Sequence, residues 1–155
     1  KPIDLLKEEL EAQGFEVEIH ESPMDKIANL PPEEQMKSIM NAYAAKRPIK
    51  ELTDKYDLII NVANVKMGEV VQRMTWNALK GTPDIPFYVH EVPTIFVSVN
   101  YPFHLADVPQ VKTYINAYDG NKGTLELLVE KLMGQSEFKG VDPVDAFCGF
   151  KDTHI

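Results

Sequence analysis

VPTIFVSVNYPFHLADVPQVKTYINAY, Val92–Tyr118, is the stretch whose reading decides the fold. It holds two short apolar runs, Thr94–Val99 and Thr113–Tyr118, both rich in β-branched and aromatic residues and bounded by Pro, Asn or Asp. Those flanks stop strands and start turns. The first run is interrupted only by Ser98, the pattern of a strand covered on both faces. The link between them, residues 100–112, carries Pro102 and Pro109, which deny it a long helix. The two runs therefore read as neighbouring parallel strands joined by a short crossover.

Two further strands are expected upstream. Leu58-Ile59-Ile60-Asn61-Val62 is a buried run within a strand at 57–62, ending in Ala63-Asn64. Residues 15–20 alternate Phe15, Val17 and Ile19 with Glu16, Glu18 and His20, a half-covered strand near a sheet edge. Helices fill the intervals. Ile3, Leu6 and Leu10, with Leu5 beside them, form one face between Pro2 and Gly14. Pro32-Glu33-Glu34 starts a second helix, where Met36, Ile39, Met40 and Tyr43 read as a buried stripe. Pro48 breaks it, and Ile49–Lys55 resumes as a short helix. Val70, Val71 and Met74 make another stripe, closed by Gly81. Leu125, Leu128, Val129, Leu132 and Met133 form the last, stopped by Gly134. Residues 81–92 read as loop, and 135–155 as an irregular C-terminal segment.

Strands alternating with helices give the expected fold class. It is an α/β three-layer sandwich with a mostly parallel, flavodoxin-like sheet, its strands at 15–20, 57–62, 94–99 and 113–118. The 155 residues suit a single domain with a proper core. Because the chain opens on a helix, a strand just before Lys1 is expected in a longer parent.

Asp and Glu outnumber Lys and Arg 24 to 16, giving a net charge of −8, which repels phosphate backbones and argues against nucleic-acid binding. No apolar run is long enough for a membrane span. The single Cys, Cys148, excludes an internal disulfide framework and favours a cytoplasmic setting. Neither G-x-G-x-x-G after a strand nor G-x-x-x-x-G-K-[ST] occurs, and the His residues are scattered, so no cofactor or metal is expected. Cys148 reads as a small packed side chain, and Glu69 as a helix-opening carboxylate.

Ligands of open parallel sheets bind beyond the strands' carboxyl ends. Those ends hold His20 and Glu21, Asn61 and Asn64, Asn100, Tyr101 and His104, then Asp119 and Asn121. Asn61, Asn64, Asn100 and His104 are the substrate-contact candidates. They make a hydrogen-bonding rim suited to a sugar, without a readable nucleophile and base.

V-N-Y-P-F-H-L-A-D-V-P-Q-V-K-T-Y-I-N-A-Y (99–118), L-M-G (132–134) and F-K-G-V-D-P-V (138–144) together resemble the second domain of family 3 glycoside hydrolases. E-V-P-T-I-F (91–96) and F-C-G (147–149) look most like bacterial β-N-acetylhexosaminidase-type members. The match is specific over about 92–147 and looser before it. The resemblance implies an N-terminal catalytic barrel in the same polypeptide, carrying the Asp nucleophile of a retaining mechanism, and a carbohydrate substrate. Some family β-glucosidases place the acid/base Glu after a strand like 57–62; here that position reads Asn61-Val62-Ala63-Asn64-Val65, without Glu. That fits members whose acid/base group sits in the barrel. The expectation is a non-catalytic second domain of a glycoside hydrolase; the alternative is a free-standing flavodoxin-like small-molecule binding module.

Overall fold

The computed structural model describes residues 1–21, 23–44, 49–65, 86–108, 110–146 and 149. The described elements are α1 (Pro2–Ala12), α2 (Pro23–Ala28), α3 (Pro32–Ala44), α4 (Ile49–Thr53), β1 (Ile59–Ala63), β2 (Thr94–Ser98), a 3-10 helix (Pro102–Ala106), β3 (Thr113–Asn116) and α5 (Lys122–Leu132). They fall into two compact units: residues 1–19, 60–74 and 94–155, and residues 20–59 and 75–93.

The first unit carries the sheet, ordered β1-β2-β3. β2 and β3 pair in parallel, from Ile95 opposite Thr113 to Ser98 opposite Asn116. Ile59 N–H donates to Pro93 at one end of β1, and Val99 N–H to Ala63 at the other, so β1 and β2 also run parallel. The crossover from β2 to β3 is short, as Pro102 and Pro109 dictate. Pro102 opens one 3-10 turn, where its missing N–H costs nothing.

Side chains alternate across a strand, and here the alternation sorts them by chemistry. Val97 and Val99, fully buried, turn to one face with Ile60, Val62, Ile95, Ile115 and Ala117. Against that face pack Leu6 of α1 and Leu125, Leu128 and Val129 of α5. Each such buried aliphatic contributes about 1.5–3 kcal/mol of transfer free energy. Both helices stop at a left-handed glycine, Gly14 at φ 93° and Gly134 at φ 71°. Asn121 starts α5 by accepting from Thr124 N–H at 2.9 Å. The other face carries Asn61, Phe96, Ser98, Tyr114 and Asn116; Phe96 and Tyr114 stack there with ring centres 5.4 Å apart.

Residues 15–20 differ from expectation: among the described residues the sheet has three strands, and this stretch is not one of them. Val17 and Ile19 are half-buried while Glu16, Glu18 and His20 are exposed, so the alternation has its structural counterpart over 16–20, but Phe15 is 47% exposed. Alternation assigns faces. A strand also needs a neighbouring backbone in register, which no periodicity within the segment supplies.

In the second unit α2 packs on α3, with Ile27 of α2 buried. The buried stripe expected on α3 is rotated. Its half-buried residues are Gln35, Ser38, Ile39 and Ala42, whereas Met36 and Met40 are 68% and 63% exposed. Shifting a stripe by one residue turns the helix about 100°. Gln35, on the half-buried side, donates its amide to the Leu30 carbonyl at 2.8 Å, between α2 and α3. α4 buries Leu52, and the turn at 86–93 buries Val89 and Val92. The helix expected over Val70, Val71 and Met74, and Glu69, Cys148 and His154, lie outside the described residues.

Candidate functional site

The carboxyl ends of β1, β2 and β3 lie side by side because the strands are parallel and in register. Val99 N–H reaches the Ala63 carbonyl at 3.0 Å, and Ala117 N–H the Ser98 carbonyl at 2.8 Å. The residues that follow each strand are thereby gathered into one rim. The Asn100 side-chain amide donates from Nδ2 to Asn64 Oδ1, joining the loop after β1 to the loop after β2. Asn64 is exposed and Asn100 half-buried. Each amide keeps hydrogen-bonding capacity beyond this one contact, as a polyol ligand needs.

The other two candidates sit deeper. β1 runs to Ala63, one residue past the expected end, and Asn61 is half-buried within the strand. His104, in the 3-10 helix, is fully buried. Its Nδ1 lies 3.4 Å from Asp107 Oδ2, and its ring meets the edge of Tyr101 at 5.3 Å. Burial pushes the imidazole pKa down and outweighs the opposing pull of Asp107, so the ring is neutral at pH 7. A neutral ring placed this way donates from Nδ1 to the carboxylate. Asp107 N–H also bonds the His104 carbonyl at 2.8 Å, so side chain and backbone close the same turn. His104 thus organises the link that presents Tyr101, and offers no surface of its own.

At the end of β3 the structure assembles a group that the sequence did not reveal. Asp142, from the irregular segment after α5, accepts from Asn116 Nδ2 at 2.7 Å, from the Tyr118 hydroxyl, and from Val144 N–H at 3.2 Å. Tyr118 stands at φ 61°, the left-handed region that a bulky residue enters only at a cost. Its ring is 44% exposed beside the rim. Desolvation, with the Asp142 carboxylate as hydrogen-bond acceptor and like charge, raises the Tyr118 phenol to about 12. Asp142 lies in the segment that the sequence gives as irregular, and nothing in the linear spacing ties it to residues 116 and 118.

Asp119 and Asn121 serve α5: Asn121 N–H donates to Asp119 Oδ1 at 3.0 Å, and Asn121 caps the helix. His20 and Glu21 belong to the second unit, where Glu21 pairs with Lys26 at 2.8 Å. Among the described residues no three His, Cys, Asp or Glu side chains gather as a metal-ligand set. No helix among them is long and apolar enough to cross a membrane.

Comparison with known proteins gives this arrangement a context. No protein-family profile matches the chain. A β-N-acetylglucosaminidase/β-glucosidase of Cellulomonas fimi is 44% identical over 110 residues, which cover 70% of this chain and 19% of that protein. A solved structure of the β-glucoside phosphorylase BglX superposes with a TM-score of 0.73 at 36% identity, over 99% of this chain and 24% of that one. A second structure of BglX, bound to 2FGlc, superposes with a TM-score of 0.70 at the same identity, over 96% of this chain and 23% of that one. The chain thus spans about a fifth to a quarter of the length of the proteins it matches. The parallel sheet, its helical cover and these relatives agree with the motifs at 99–118 and 138–144: the chain is an α/β sandwich similar to a domain of family 3 glycosidase-type enzymes.

Proposed function

We propose that the chain is the non-catalytic second domain of a retaining family 3 enzyme acting on β-N-acetylglucosaminides. It supports the catalytic barrel and shapes the entrance to the sugar site. The observation that carries this reading is the pairing of strong identity with small coverage, 44% over 70% of this chain but only 19% of a β-N-acetylglucosaminidase/β-glucosidase. A retaining mechanism needs two carboxyl-type groups about 5–5.5 Å apart on either side of the scissile bond. The rim offers amides, a phenol and a carboxylate already engaged by three donors, which suits holding a sugar better than cleaving its bond. Asn64 and Asn100 are the groups proposed to reach substrate. Asn61 and His104 are proposed to hold the strand and the link behind them.

The test is turnover of a chromogenic β-N-acetylglucosaminide by the full-length polypeptide and by this chain alone, with and without inorganic phosphate. Phosphate is included because a structural neighbour is named a phosphorylase. Activity confined to the full-length protein supports the reading, and phosphate dependence would decide between hydrolysis and phosphorolysis. Turnover by this chain alone would refute it.

A further inference from the structure

Tyr118 is set apart from the other exposed apolar side chains by its backbone. Among the described residues, glycines aside, it alone has φ in the left-handed region, at 61°. For a bulky side chain that conformation costs free energy, and such costs cluster at ligand clamps. Tying down the segment after α5 does not require it, because Asp142 already accepts from Asn116 Nδ2 at 2.7 Å and from Val144 N–H at 3.2 Å. The Tyr118 hydroxyl adds a third bond to that carboxylate, fixing the far end of a side chain that is nonetheless 44% exposed. The result is a rigid aromatic face held open to solvent. The other exposed aromatic rings do not compete: Phe15 and Phe87 follow no strand of the sheet, and Lys131 Nζ stands 5.6 Å over the ring of Phe138.

The sheet sets the place of Tyr118 along the rim. Ser98 pairs with Asn116, and Ala117 N–H reaches the Ser98 carbonyl at 2.8 Å, so Tyr118 follows β3 as Asn100 follows β2. Asn100 in turn bonds Asn64 after β1. Three adjacent strand ends thus present two amides and one ring. A pyranose with equatorial substituents has the same division, hydroxyls around its edge and C–H bonds on a flat face. The edge suits the amides, and the flat face suits the apolar body of a tyrosine. We infer that Tyr118 is a stacking platform for the sugar on the leaving side of the scissile bond, and so a specificity-determining residue for β-linked disaccharides of glucose configuration. The inference rests on the function proposed above. In that reading the cleaving carboxyl groups lie outside this chain, and the rim meets the part of the substrate that projects from them, the leaving group. A methyl leaving group is too small to cover the ring, whereas a second pyranose covers it.

The experiment compares two substrates in the full-length polypeptide, the β-1,4-linked disaccharide of N-acetylglucosamine and methyl β-N-acetylglucosaminide. Tyr118→Asn removes the ring and keeps the turn, since asparagine enters the left-handed region readily, while Tyr118→Phe keeps the ring. Tyr118→Asn is expected to lower kcat/KM for the disaccharide about tenfold, through KM, the upper end of what one aromatic contact supplies. Turnover of the methyl glycoside should stay within about twofold, and Tyr118→Phe should keep the disaccharide within about threefold of wild type. Equal losses on both substrates, or no loss on the disaccharide, would overturn the inference. So would a loss in Tyr118→Phe as large as in Tyr118→Asn, which would assign the effect to the hydroxyl. If Tyr118→Asn does not fold, Tyr118→Gly, free of steric cost at this φ, makes the same comparison. The wild type separates the two claims. Turnover of neither substrate refutes the proposed function, whereas turnover of both with an indifferent Tyr118 refutes the platform alone.

Discussion

Leu125 and Leu127 lie two residues apart on α5 and face opposite ways, which makes them a paired test of how the sheet is covered. Leu125 is fully buried among Leu6, Val97, Val99, Leu128 and Val129, whereas Leu127 is 54% exposed. Leu125→Ala removes three buried carbons, about 2.4 kcal/mol at 0.8 kcal/mol per methylene. The cavity left behind adds to this, because strands β1–β3 and α1 cannot all collapse onto it; the total is about 3 kcal/mol, within the usual 2–5. Leu127→Ala removes the same carbons from a site already half in water and costs less than about 1 kcal/mol. In a domain of this length each kcal/mol moves the melting temperature by about 2–4 °C, so Leu125→Ala is expected to lower it by about 6–12 °C. Urea unfolding followed by far-UV circular dichroism, on both variants of this chain, gives the comparison directly. Equal losses, or a larger loss for Leu127→Ala, would mean that α5 does not present this face to the sheet.

Three further outcomes are expected. A Cβ at Gly120 would stand 2.8 Å from Pro2 Cγ, so Gly120→Ala should force the start of α1 away from the loop after β3. It should cost about 1–3 kcal/mol in urea unfolding; an unchanged midpoint would show that this approach is looser than described. Burial, the largest influence, raises the Tyr114 phenol to about 12. The unfolded chain loses that proton near pH 10 and the folded one later, so the contribution is complete below pH 10 and falls as pH rises towards 12. Spectrophotometric titration should show late-ionising phenol that Tyr114→Phe removes; loss of none of that late fraction would refute the assignment. In the full-length enzyme, Asn64→Ala with Asn100→Ala should raise KM more than it lowers kcat, and unchanged kinetics would remove both from the sugar site.

Much of the first unit was legible because its signals are local. The apolar runs at 94–99 and 113–118, with prolines between them, leave little besides a parallel pair and a short crossover. Pro2 with Gly14 bounds α1, and Gly134 marks the end of α5, within a residue or two. The misreadings share one physical origin: a pattern within a segment does not say what lies beside it. Residues 15–20 alternate as a strand does, yet pairing depends on a backbone elsewhere. The methionines of α3 follow helical spacing, but the side that packs carries Gln35, Ser38, Ile39 and Ala42. At the rim, the neighbourhood of Asn64 and Asn100 is legible because both follow strands. Asp142 is not legible there, since it lies in the irregular segment after α5 and follows no strand. His104 was found for its position, but its burial could be known only once the 3-10 helix closed around it.

The proposed non-catalytic role requires that any glycosyl–enzyme bond form outside this chain. A retaining enzyme treated with a 2-fluoro glycoside accumulates a covalent intermediate, and digestion locates the labelled carboxylate. In the full-length polypeptide the label is expected on an aspartate outside residues 1–155. A label on any residue of this chain would make it catalytic and contradict the account.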